Sequence, residues 1–453
     1  MRRALAALLA AIGVVAPLAA QAETIAIVGG TVEPVGAPRI AGGTVLIRDG
    51  KIVAVGSRVA IPAGTRRIDA RGKIVTPGFI NAATVLGLVE LGGESSTRNA
   101  STSDAISADF RSWDGFFSES AYIASTREDG ITTVGIGPSG GFVSGQTALV
   151  ELGAGTARDM VLKAPTGILV DPSGGGFENG ADRDETAGGA PDTAGNEIAD
   201  RPVSRGQAFG KLRSLLEDAR LYAAHRTAYD EGRTRQLAAS RDNLIALGPV
   251  VRGELPLIVA ADRVDDIDQT LMLARDERVR VIIFGGAEAW RIAPRIAAAH
   301  VAVITGAMNN IPASFDQLNQ RQENAGLLRR AGVQVVIVGN AGGGDEDQFN
   351  ARNVRFEAGN AVAYGMSHDD ALRAVTLAPA TVFGMGDQLG SLAPGKLADV
   401  VIWSGDPFEF ATRAEHVFVR GVEYRDPSRQ DLLIERYRHL PATHNAPPGQ
   451  STP

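Results

Sequence analysis

The amino-acid sequence predicts an α/β protein: a (β/α)8 barrel joined to a smaller composite β-sandwich domain formed from both chain ends. Three observations predict it. Strand-and-turn text occupies both ends of the chain. Between those ends, near-continuous apolar runs alternate with helical patterns, as in a parallel sheet covered on both faces. Finally, 453 residues at 44% hydrophobic and 21% charged supply a core large enough for such a body.

The elements follow in chain order. Residues 1–22 open on Met1, Arg2 and Arg3 and run apolar from Ala4 to Ala16. They then reach Ala20, Gln21 and Ala22 after Pro17, the order of a secretory signal cleaved near Ala22. The expected location is therefore periplasmic or secreted. No later stretch approaches the roughly 20 continuous apolar residues of a membrane span. From Thr24 to about Gly78 the text reads IAIVGGTV, then TVLIRDGKIVAVG with Asp49 and Gly50 as a hairpin turn, then RRIDARGKIVTPG. GSLAPGKLADVVIWSGDPF and HVFVRGVEY repeat that texture near the other end, so residues 23–76 and 386–425 are expected to share one β domain.

Residues 77–385 form the expected barrel. Its strands are ITTVGIG, ALVELG, PLIVAAD, VRVIIFGG, VAVITGA and VQVVIVGN; DDIDQTLMLARDE, AWRIAPRIAAA and NAGLLRRAG supply helices between the later ones. An open doubly wound sheet is the alternative, although no GxGxxG or P-loop spacing supports nucleotide binding. Residues 172–202, rich in Gly, Asp and Glu, read as a mobile loop near the barrel mouth, either a solvated insertion or a lid. The tail, 426–453, is expected to fray from about Pro441.

Composition narrows the function. A net charge of −7 without a basic cluster argues against nucleic acid or anionic lipid as a partner. With no cysteine there is no disulfide, thiolate ligand or nucleophilic thiol. A small-molecule ligand or another protein remains.

Four stretches carry a resemblance: PGFINAATVLGL (77–88), GITTV (130–134), ALRAVTLAPATVFGM (371–385) and GSLAPGKLADVVIWSGDPF (390–408). Together they resemble the metal-dependent amidohydrolase superfamily, in particular its exported, imidazolonepropionase-like branch. The resemblance implies a TIM-type barrel with an added β domain, and hydrolysis of C–N bonds by metal-activated water. That family's first barrel strand reads PGFIDxHxH, whose two histidines share one strand face. Here the corresponding residues are Asn81, Ala83 and Val85. The next two family histidines fall at about Ala260 and Gly285, and the aspartate that serves as base falls at Asn340, an amide. The implied metal site is therefore degenerate at Ala83, Val85 and Asn340. A catalytic zinc lowers the pKa of its water from about 16 to about 7, roughly 12 kcal/mol of easier hydroxide formation. Losing it is not a tuning change.

The six histidines do not rebuild the site. His225, His300, His368, His416, His439 and His444 never pair at ligand spacing, and each has a structural reading. Two functions compete. One is a catalytically impaired binding protein, or a partner subunit of an active amidohydrolase paralogue, with no cofactor; self-association into a homo-oligomer stays open. The other is a hydrolase of non-peptide or dipeptide C–N bonds with a rebuilt carboxylate site, using Asp262, Glu288 and Asp345 with its neighbours Glu346 and Asp347, alone or through a divalent metal such as zinc. Each of these carboxylates also has a local reading: Asp262 as a helix cap, Glu288 in a helix first turn, the DED run as a solvated loop. Asn81, Thr84, Trp290 and Asn340 are expected to line the pocket at the strands' C-terminal ends.

Overall fold

Alternating apolar residues and left-handed turns at the two chain ends close into one hydrogen-bonded sheet. The computed structural model describes residues 23–101, 104–173, 202, 204–308, 312, 314–339, 347–425, 427 and 429–438. The expected signal segment (1–22), residues 174–201 of the expected loop and the tail from 439 onward lie outside the described residues. The strands are β1 (Ile25–Val32), β2 (Ile40–Arg48), β3 (Lys51–Gly56), β4 (Arg66–Asp69), β5 (Ile74–Pro77), β6 (Phe79–Thr84), β7 (Ile131–Ile136), β8 (Val143–Glu151), β9 (Val161–Val170), β10 (Leu257–Ala261), β11 (Val281–Gly285), β12 (Ala302–Thr305), β13 (Val335–Ile337), β14 (Val400–Trp403), β15 (Ala414–Val419) and β16 (Val422–Tyr424).

The first sheet runs β16-β15-β14-β5-β1-β2-β3, with β4 beside β1. Asp49 and Gly50 both take positive φ, 52° and 71°, the geometry a two-residue hairpin needs between β2 and β3. β5 pairs antiparallel with β14, so strands from the two ends of the chain meet at the centre of this sheet.

The second sheet runs β13-β12-β11-β10-β9-β8-β7-β6 and nearly closes into a barrel. Its two edge strands approach where the Gly339 amide donates to Asn81 Oδ1 at 3.4 Å. The alternation of strand and helix over-predicts one feature. β8 runs antiparallel to both β7 and β9, so ALVELG belongs to a meander instead of a parallel βαβ unit. Side chains from successive strands, including Ile80, Leu149, Leu169, Ile258, Phe284, Ile304 and Val336, fill the barrel interior. The helix Leu377–Val382 packs Ala378, Ala380 and Val382 into the same cluster. Trp403 joins the two sheets: fully buried, it donates from Nε1 to Thr76 Oγ1 at 2.8 Å and lies 5.0 Å from the Phe79 ring. A helix, Arg429–Arg438, occupies part of the segment expected to be tail. Among the described residues no helix is long and apolar enough to cross a membrane.

Candidate functional site

The parallel strands of the barrel end on one rim, and the residues following them form two networks there. The first surrounds β6. Its residues are apolar or small enough to be buried on both faces, so the polar ones must find partners within the protein. Asn81 is fully buried; its Nδ2 donates to the Ala351 carbonyl at 3.0 Å. Thr84 Oγ1 donates to Asp347 Oδ2 at 3.1 Å, and the Val85 amide donates to the same oxygen at 2.6 Å. Neither Asn81 nor Thr84, both expected to line a pocket, faces solvent. Asp347 is 3% exposed and opens the helix Asp347–Asn350, which corrects the reading of that residue as part of a solvated loop. Asn340, Asp345 and Glu346 lie outside the described residues. Ala83 is sealed into the apolar filling of the barrel, and Val85 packs in the larger core outside it.

The second network lies past β10 and β11. Asp262 follows β10 directly; its Oδ1 accepts the Ala287 amide at 3.0 Å, and Oδ2 accepts from Gln317 Nε2 at 2.9 Å. It does not cap the helix that follows it, Val264–Glu277. That task falls to Glu288, whose Oε2 accepts the Val264 amide at 3.1 Å and Arg291 Nη1 at 3.0 Å, while Oε1 accepts from Asn319 Nδ2 at 2.7 Å. Glu288 itself stands just before the short turn Ala289–Ile292 and not within a helix first turn. Burial acts upward on both carboxyls, yet their net shifts run in opposite directions. Desolvation pushes Asp262 above the usual carboxylate range, with Asp316 and Asp171 adding to it against the Gln317 and Ala287 bonds. For Glu288 burial also acts upward, but the donors Asn319, Val264 and Arg291 outweigh it and hold the carboxyl low.

Residues 314–323 cover this network. Arg205 bridges Asp266 and Asp316, Gln317 and Asn319 reach Asp262 and Glu288, and Trp290 Nε1 donates to the Asn319 carbonyl at 3.0 Å. The guanidinium of Arg321 lies 4.9 Å over the Trp290 ring. Trp290, expected to line the pocket, is thus half-buried beneath that cover. Phe315 and Leu318, on the outside of the cover, are 87% and 59% exposed.

One contact bears on the positions at Ala260 and Gly285. Gly285 has φ +89°, and a Cβ there would stand 2.5 Å from Asp262 Oδ1. The carboxyl of Asp262 therefore occupies the space a side chain at 285 would need. Sequence reasoning passed over Gln317 and Asn319, which lie 55 and 31 residues from the carboxylates they serve; the Gly285 and Gly286 pair was the one local sign of a close approach. Of the histidines, His368 Nε2 lies 3.3 Å from Asp406 Oδ1, which raises its pKa, and His416 Nδ1 lies 2.6 Å from Glu423. Among the described residues no three His, Asp or Glu side chains converge as a metal site.

Comparison with known proteins gives a consistent relationship. A sequence profile of the Amidohydrolase family matches residues 274–424. Amidohydrolase tasK of Hapsidospora irregularis is 25% identical over 408 residues, covering 85% of this chain and 40% of that protein. An imidazolonepropionase of Pseudomonas putida is 33% identical over 94 residues, 20% of this chain and 23% of that enzyme. The chain spans less than half the length of these curated relatives. Among solved structures, an amidohydrolase from Thermotoga maritima MSB8 superposes with a TM-score of 0.75 at 24% identity, covering 89% of this chain and 100% of that one. At that identity the likeness is one of fold.

Proposed function

The chain belongs to the amidohydrolase superfamily, and we propose that within it this protein is a catalytically impaired binding or partner subunit that works without a resident metal. The observation that carries the reading is the placement of Asp262. Its carboxyl fills the volume at position 285, and both of its oxygens are engaged by Ala287 and Gln317. Ala83 and Val85 offer no lone pair, and Asp347 Oδ2 is spent on Thr84 and Val85. These side chains do not fit the donor set of a zinc ion, which asks for convergent nitrogen, sulfur or carboxylate ligands. The exposed Phe315 and Leu318 on the cover favour a protein partner, such as an active amidohydrolase paralogue, over that rim. Export, inferred from residues 1–22, would place the pair in the periplasm.

Zinc, manganese and iron measured in protein purified without chelator test the reading. The expected result is substoichiometric metal and no turnover of N-acyl amino acids, dipeptides or cyclic imides. Stoichiometric metal whose removal abolishes a hydrolytic activity would sink it.

A second reading, a C–N hydrolase with a rebuilt site, is favoured by the raised pKa of Asp262 at the strand ends, where a carboxyl able to hold a proton suits acid–base work. Its signature is turnover that survives EDTA and disappears in Asp262→Asn.

A further inference from the structure

A cavity of about 750 Å³ opens at the opposite end of the barrel from Asp262 and Glu288. Its floor is made by residues at the N-terminal ends of the later strands: Val281 and Ile282 open β11, Ala302 opens β12, Pro256 precedes β10 and Gln334 precedes β13. The helix Val264–Glu277 supplies Leu271, Met272 and Arg275 to one wall, and Thr381 and Val382 of the helix Leu377–Val382 supply another. The size falls within the range of small-molecule pockets.

Charge is what distinguishes this cavity. The protein carries 52 acidic against 45 basic residues, yet among the described residues no carboxylate lines the cavity. Arg275, Arg280, Arg295 and His300 do. Two of these are accounted for locally. Arg275 pairs with Asp276 and Arg295 with Asp268, and both stand at the ends of helices, where a cation offsets the terminal carbonyls. Arg280 is different. It belongs to no helix, and among the described residues its side chain reaches the Glu254 carbonyl at 3.4 Å and pairs with no carboxylate. Met272, Val279 and Val301 line the same cavity.

We propose that this cavity binds a small organic carboxylate with an apolar body, its head held by Arg280 and its chain laid against Met272, Val279 and Val301. A guanidinium presents a planar fork of donors that matches a carboxylate in two bonds at once, and an apolar wall next to it selects an anion with a chain over a bare inorganic one. The site is independent of whatever happens at the other rim.

Calorimetric titration of the full chain with octanoate, octanamide and inorganic phosphate tests the proposal. Octanoate is expected to bind saturably, one per chain, and Arg280→Gln to weaken it about tenfold to a hundredfold. Met272→Trp, which fills the apolar wall, should abolish binding. Both side chains are at least partly exposed, and unchanged melting curves confirm that each variant folds. Octanamide should bind at least about tenfold more weakly than octanoate, and phosphate should not compete. The proposal is overturned by absence of saturable octanoate binding, by equal affinity in both folded variants, by octanamide matching octanoate, or by phosphate displacing it.

Discussion

Asp347 takes two donors on one oxygen, the Val85 amide and the Thr84 hydroxyl, in a place where water does not reach. Removing a buried acceptor strands its donors, and each stranded group costs about 1–3 kcal/mol. Asp347→Ala is therefore expected to lower unfolding stability by about 2–4 kcal/mol in urea titration. Asp347→Asn, which keeps one acceptor oxygen, should recover much of that. A loss below about 0.5 kcal/mol in Asp347→Ala would mean that the carboxyl is not the anchor of β6. Little of this was legible in the chain. The DED run reads as surface because acidic triplets are solvated unless a distant donor claims one of them, and Thr84 lies 263 residues away. That the side chains of Ala83 and Val85 hold no atom able to ligate a metal, by contrast, is plain from residue type alone.

At the scale of elements, β6 and β7 approach so closely that a Cβ on Gly135 would fall 2.1 Å from the Ala82 carbonyl oxygen. Backbone cannot swing aside as a side chain does. Gly135→Ala should force the pair apart at a cost of about 1–3 kcal/mol or more, read as a drop in the urea midpoint at constant slope. A midpoint unchanged from the parent would show that the strands separate freely. Most strands were legible because they are continuous apolar runs bounded by glycine turns. Two features were not. β9 hides behind Lys163, Pro165 and Gly167, residues that argue against a strand in any local window. The direction of β8 escapes for another reason: apolar alternation records which residues are buried, not which way the strand runs.

Across the whole molecule, the barrel and the first sheet meet around three ionisable side chains. Glu151 at the end of β8 pairs with Arg420, and the Arg420 amide donates to Asp399 Oδ1 at 2.9 Å. Burial pushes Glu151 up to about 8 from an ordinary value near 4.5, with Asp399 adding to it, and burial pushes Asp399 up to about 6 from 3.8. Both carboxyls thus keep protons in the folded state that the unfolded chain has released, so unfolding is favoured as pH rises. The stability they contribute is fully present below about pH 4 and is lost as pH climbs through 6 to about 8. Melting temperature should fall over that window, and Glu151→Gln should flatten the fall, gaining about 1 kcal/mol or more on the parent at pH 8. A parallel pH profile for the two proteins would exclude the junction as its source. The pairing of β5 with β14 has a further consequence during synthesis. The ribosome releases β5 roughly 300 residues before β14 emerges, so a nascent chain carries an open hydrogen-bonding edge throughout most of translation. Chains cut short before residue 400 should therefore associate through that edge, and only the last-made strands silence it.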